Sequence, residues 1–139
     1  MSLRFLDSNI LLYAYSRVTA EITLRDTARS LLLQNDWCIS VQVLQEFYAN
    51  AIRARQGAVA MLPRAEAAIV VARLRDKVAT AVDVELVLQA IQISQRHQLS
   101  YWDGAIVAAA VRCGAKELLT QDLNAGQVIE GVRVVNPFA

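Results

Sequence analysis

A chain of 139 residues suffices for one domain, and its 55% hydrophobic content, with only five Gly and two Pro, is that of a sequence that buries a core instead of staying a disordered linker. A formal net charge of +1 excludes a bulk basic field, so a nucleic acid would have to be held by a local patch. Arg4, Asp7 and Asn9 break the N-terminal apolar run, unlike a signal peptide, and no apolar run is long enough for a bilayer, so a cytoplasmic protein without a membrane partner is expected.

The first element is a short apolar strand that stops on a carboxylate, Arg4-Phe5-Leu6-Asp7-Ser8-Asn9. Residues 10–15 are apolar on nearly every side and read as a buried helix, followed by a loop at 18–21. Residues 23–33 form an amphipathic helix with Leu24, Ala28, Leu31 and Leu32 inward. After a turn at Asn35-Asp36, Trp37-Cys38-Ile39 is a buried strand, and Ser40 caps a helix from 41 to about 55. On that helix Leu44, Tyr48 and Ile52 form an apolar stripe, while Gln42, Glu46, Asn50 and Arg53 form a second line free to leave the core. Gln56-Gly57 ends it, residues 56–63 are the one expected mobile loop, and Pro63 opens a helix over 64–76 with Ala67, Val70, Val71 and Leu74 in step.

Residues 78–81 read as a strand, and Asp83 caps a helix reaching about His97 with Leu86, Ala90, Ile93 and Ser94 in register. Leu99 and Ser100 interrupt. Residues 101–113 are almost wholly apolar after their first turn and stop at Gly114, so this helix is expected to be central. Residues 117–120 and 132–135 supply two more strands. Strands alternating with helices predict an α/β, three-layer domain over residues 1–139, with a short, mainly parallel central sheet of four to five strands flanked by helices. Cys38 and Cys113 are far apart in sequence, lack metal-ligand spacing and read as reduced, buried thiols.

Four acids stand out by position: Asp7 after the first strand, Glu46 in the helix after the second, Asp103 in the first turn of the most apolar helix and Asp122 after a late strand. A parallel sheet can gather all four at the carboxyl ends of its strands. Each also has a purely structural explanation: Asp7 as a helix cap, Glu46 as a solvated helix residue, Asp103 in a Ser-x-x-Asp cap with Ser100, and Asp122 with Asn124 as turn chemistry. Taken together they favour a cation, because clustered carboxylates repel one another unless a positive charge sits among them. An all-oxygen set suits Mg²⁺ or Mn²⁺ better than zinc, and His97, the sole histidine, ends a helix where it complements the dipole. Carboxylate-held Mg²⁺ points to phosphodiester hydrolysis. No Walker loop, G-x-S-x-G elbow or G-x-G-x-x-G fingerprint occurs.

Four segments in order, Phe5-Leu6-Asp7-Ser8-Asn9-Ile10-Leu11, Ser40-Val41-Gln42-Val43-Leu44-Gln45-Glu46-Phe47, Leu99-Ser100-Tyr101-Trp102-Asp103-Gly104-Ala105-Ile106 and Leu119-Thr120-Gln121-Asp122-Leu123-Asn124, resemble the PIN-domain nucleases. Size and the Trp102-Asp103 pair are most similar to VapC-type toxins of prokaryotic toxin-antitoxin pairs, and the resemblance spans essentially the whole chain. It implies a PIN-like fold and an Mg²⁺- or Mn²⁺-dependent endoribonuclease, usually a homodimer, held inactive by a cognate antitoxin whose segment occupies the acidic groove. It also implies that Asp7, Glu46, Asp103 and Asp122 are the metal-binding acids and that Ser8 or Asn9 helps to orient the first of them. Gln121 stands where many relatives have Glu, and Asn124 offers a neutral oxygen where some have a second acid.

Arg53, Arg55 and Arg64 are the candidate RNA contacts, and Trp102 and several tyrosines are aromatics able to stack on bases or to pack in a core or dimer contact. Two alternatives accompany this reading. One is a haloacid-dehalogenase-like phosphatase with Asp7 as nucleophile, although Asn9 stands where the second Asp of the D-x-D pair belongs. The other is a catalytically silent interaction or dimerisation module.

Overall fold

A computed structural model describes residues 2–54 and 59–139. The second residue triplet of the chain that leaves the solvent is also the centre of the fold: β1 (Arg4–Leu6) buries Phe5 and Leu6 completely. It leads into α1 (Ser8–Ala14), a short 3₁₀ turn (Thr19–Glu21) and α2 (Ile22–Leu32). β2 (Trp37–Ser40) is buried along its whole length and runs into α3 (Val41–Ala51). After α4 (Arg64–Leu74) and a second 3₁₀ turn (Arg75–Lys77) come β3 (Val78–Thr80), α5 (Val84–His97) and α6 (Tyr101–Arg112). The chain closes with β4 (Glu117–Leu119), β5 (Val128–Ile129) and β6 (Val132–Val135).

The strands form one sheet in the order β3-β2-β1-β4-β6-β5, parallel except for the β5/β6 pair. The order walks outward from β1 to β3, then returns to the other side of β1 for β4. With right-handed crossovers this reversal puts α1 to α4 on one face and α5 with α6 on the other. The packing pairs α1/α2, α1/α3, α3/α4 and α5/α6 follow that division. The reversal also opens a crevice at the carboxyl ends of β1 and β4, the place where open α/β sheets bind ligands.

The capping expectations hold in detail. Ser40 accepts from the Val43 amide at 3.3 Å, Asp83 from Leu86 at 2.8 Å and Ser100 from Asp103 at 3.1 Å. Helix α6 is buried without interruption from Gly104 to Ala110 and ends before Gly114, whose φ of 74° suits a residue lacking a Cβ. Both cysteines are free, Cys38 buried and Cys113 half-buried.

Three expectations need correction. The sheet has six strands, not four or five. The extra one, β5, is two residues long and belongs to a hairpin through Glu130 and Gly131, both at positive φ. Helix α3 ends at Ala51 instead of near Arg55, and its core face is Val43, Phe47 and Ala51, with Leu44, Tyr48 and Ile52 half-buried. The cause is that α3 packs on both α1 and α4, which rotates the covered face by about one residue from the most apolar line. Arg55, the expected helix end at Gln56-Gly57 and part of the 56–63 loop lie outside the described residues.

Candidate metal and phosphodiester site

Asp7 sits between the end of β1 and the start of α1, at the point where the sheet order reverses. Its amide donates to the Leu119 carbonyl at 3.0 Å, which ties the ends of β1 and β4 together. Its side chain caps α1, with Oδ1 accepting from the Ser8 amide at 2.7 Å. Oδ2 accepts from the Thr120 hydroxyl at 2.8 Å. Thr120 is fully buried, directly after β4, and its hydroxyl oxygen also accepts from the Asp122 amide at 3.1 Å and from Asn9 Nδ2 at 3.3 Å. One hydroxyl thus organises the first acid, the fourth acid's backbone and the Asn9 amide.

The remaining acids come from helices on both faces of the sheet. Glu46 is one turn into α3, where Ser8 Oγ donates to its Oε1 at 3.2 Å and Gln42 Nε2 to its Oε2 at 3.3 Å. Gln42 is buried, and the same Nε2 reaches the Trp102 carbonyl at 3.3 Å, which links α3 to the start of α6. Asp103 occupies the first turn of α6, fixed by the Ser100 cap. Asp7, Ser8, Asn9, Glu46, Asp103 and Asp122 all line one cavity of about 270 Å³, with Asn50, Trp102, Leu12 and Ile106 completing the wall.

The electrostatics are those of a site short of positive charge. Burial pushes the Asp7 carboxyl up to about 6 against its Thr120 and Ser8 hydrogen bonds, and the negative charges of Glu46 and Asp122 raise it further. Asp103 is also raised, first by burial and also by Asp122. Among the described residues, no arginine or lysine lines the cavity. Asn9 Oδ1 is buried and has no hydrogen-bond partner among the described residues, so it is a neutral acceptor that the protein does not use.

These residues fit a hard divalent cation of one kind. Among the described residues, no group of three or more His, Cys, Asp or Glu side chains is drawn close enough to hold a metal ion. Mg²⁺ seldom needs such a group, because it keeps several waters and takes one or two carboxylates plus substrate phosphate oxygens. The donor set is all oxygen.

Asn124 and Arg64 are exposed and do not line the cavity. Arg53 lies in an adjoining groove, where its guanidinium donates to Asn50 Oδ1 at 2.9 Å. Thr120, Gln42 and Asn50 are residues of the site that the sequence did not assign to it, although Gln42 and Asn50 share the Glu46 line of α3. For Thr120 the signal was its position between a strand end and Asp122. For Gln42 it was membership of the Glu46 line on α3.

The PIN domain family model matches residues 4–129. The fold is similar to that of a toxin-antitoxin complex from Klebsiella pneumoniae, at 19% identity and a TM-score of 0.69 over 96% of this chain and 97% of that one. It is also similar to Mycobacterium tuberculosis VapC20, a sarcin-ricin loop cleaving toxin, at 21% identity and 0.65 over 94% and 98%. A third similar structure is VapBC2 from Rickettsia felis bound to a DNA fragment from its promoter, at 14% identity and 0.60 over 95% and 96%. No curated protein matches the sequence significantly.

Proposed function

Because the chain belongs to the PIN domain family, we propose that it is a divalent-metal-dependent endoribonuclease, the toxin of a toxin-antitoxin pair. The observation that carries this reading is the convergence of Asp7, Glu46, Asp103 and Asp122 on one cavity at the β1/β4 switch point. Family membership also sets aside the haloacid-dehalogenase-like alternative.

Asp7 and Asp103 are the residues we assign to hold Mg²⁺ or Mn²⁺, with Glu46 and Asp122 in support. A cation bound there supplies acidification of a water and neutralisation of the charge that builds on the phosphoryl oxygens. The protein's part is orientation. Thr120 and Ser8 fix both oxygens of Asp7, and Ser8 with Gln42 fixes both oxygens of Glu46. Asn9 Oδ1 and Arg53 in the adjoining groove are further polar groups for the RNA or its hydration. Similarity to toxin-antitoxin complexes supports an antitoxin partner, and a homodimer of a single domain is the state we propose for the free toxin. No helix among the described residues is long and apolar enough to cross a membrane.

The test is cleavage of single-stranded RNA by the purified protein with Mg²⁺ or Mn²⁺, then with excess chelator. Cleavage that stops with chelator and returns with either ion supports the reading. Undiminished cleavage in chelator, or none under any condition, overturns it.

A further inference from the structure

Trp102 is the second residue of the most apolar helix in the chain, yet 64% of it is exposed. A tryptophan left in water forgoes the largest apolar burial any side chain offers. Its backbone is nonetheless well fixed. Buried Gln42 donates to its carbonyl, and the Tyr101 ring meets the indole edge to face at 5.0 Å and 78°. The residue is held in position with its ring uncovered.

Trp102 lines three adjoining spaces, two of which share Glu46 and Asn50. It lines the acidic cavity beside Asp103, and it lines an open groove with Gln45, Ala49, Asn50 and Arg53. Glu46 and Asn50 also face both, so the groove continues the cavity along α3. Resting on the ribonuclease reading above, we propose that Trp102 is a stacking platform for one nucleobase flanking the scissile phosphate, with Gln45 at the base edge and Arg53 at the neighbouring phosphate.

The chemistry matches that occupant. A single-stranded base presents an open π face for an indole and its pairing edge for an exposed amide, whereas a base inside a duplex has its faces covered by neighbours and its pairing edge taken. Arg53 is exposed, and among the described residues one of its donors is taken, by Asn50. The substrate is therefore a single-stranded or looped segment, and the platform tolerates any base. A second copy of the chain suits this flank poorly, since interface cores are depleted of charge and Glu46 and Arg53 both face the groove. Trp102 also borders an adjoining apolar groove with Val41, Gln45, Val82 and Leu86, so the test separates a copy seated there.

The experiment titrates the purified protein in chelator with a ten-nucleotide oligoadenylate and with an abasic ribose-phosphate chain of equal length, reading tryptophan fluorescence. Trp102→Phe supplies the Trp37 background. The proposal expects quenching by oligoadenylate, little by the abasic chain, and loss of the quench in Trp102→Phe. It expects Trp102→Ala to weaken oligoadenylate binding roughly 5- to 100-fold and Trp102→Phe to retain most of it. In cleavage with Mn²⁺, Trp102→Ala raises KM far more than it lowers kcat. Equal quenching by both chains, no quenching, or unchanged binding by Trp102→Ala overturns the platform. So does a change in oligomeric state of Trp102→Ala by size exclusion, which assigns the ring to a copy-to-copy contact. Stacking without any cleavage overturns the ribonuclease reading alone, and cleavage indifferent to Trp102 overturns the platform alone.

Discussion

Asp7 is costly to the metal-free protein, and the cost depends on pH. Its folded value of about 6 lies above the ordinary 3.8, so the folded state binds the proton more tightly than the unfolded chain. The contribution to stability is fully present below about 3.8, and it is lost as pH rises through about 6. The difference corresponds to roughly 3 kcal/mol at most. Asp7→Asn removes that charge, so the variant is expected to gain stability over the wild type as pH rises from 4 to 7 without metal. Urea unfolding of both proteins at the two pH values checks it, and a gap that stays constant with pH contradicts it. Thr120→Val keeps the shape but removes the hydroxyl that donates to Asp7 Oδ2. Such supporting groups are worth about 10- to 100-fold in metal affinity or activity. We expect a loss of that size and a further rise in the Asp7 carboxyl, read by NMR titration. At this scale the sequence was partly legible. Asp7, Asp103 and Asp122 stand at strand ends or a helix start and Glu46 on the polar line of α3, where spacing exposes them, whereas Thr120 and Gln42 act through contacts with residues far along the chain.

At the scale of elements, α6 matters most because it carries Asp103 and Trp102 at one end and fills the core along its length. Gly104 allows that packing. A Cβ there would lie 2.7 Å from the Ala90 carbonyl oxygen and 2.9 Å from Ser94 Cβ on α5. Gly104→Ala must push α6 away from α5, and we expect destabilisation of about 1 to 3 kcal/mol by thermal or urea unfolding, together with reduced cleavage, since Asp103 is the preceding residue. Ser100→Ala removes the α6 cap and should cost about 1 kcal/mol. The helices were readable because caps and periodicity are local signals. Two elements were not. The β5 strand is two residues long and exists only as the antiparallel partner of β6, so no local run announces it. The buried face of α3 depends on which helices pack against it, and apolar Leu44, Tyr48 and Ile52 outweighed the true line in the sequence.

For the whole molecule, alternation of strands and helices gives the α/β class but not the strand order. The order is what makes a site, because β4 returns beside β1 and brings Thr120 and Asp122 to Asp7, 113 residues from Thr120 in sequence. Local pattern cannot encode such a pairing, and the resemblance of four motifs in series supplied it instead. The two helical layers then deliver Glu46 from one face and Asp103 from the other. A cavity assembled from four separate segments is expected to lose function by parts. The measurement that tests this most directly is the RNA cleavage rate at fixed Mn²⁺ for the wild type and for Asp7→Asn, Glu46→Gln, Asp103→Asn and Asp122→Asn, each checked for its fold by circular dichroism. The account predicts losses above about 100-fold for Asp7→Asn and Asp103→Asn and smaller losses for the other two. Folded Asp7→Asn and Asp103→Asn proteins that cleave within threefold of the wild type would contradict it.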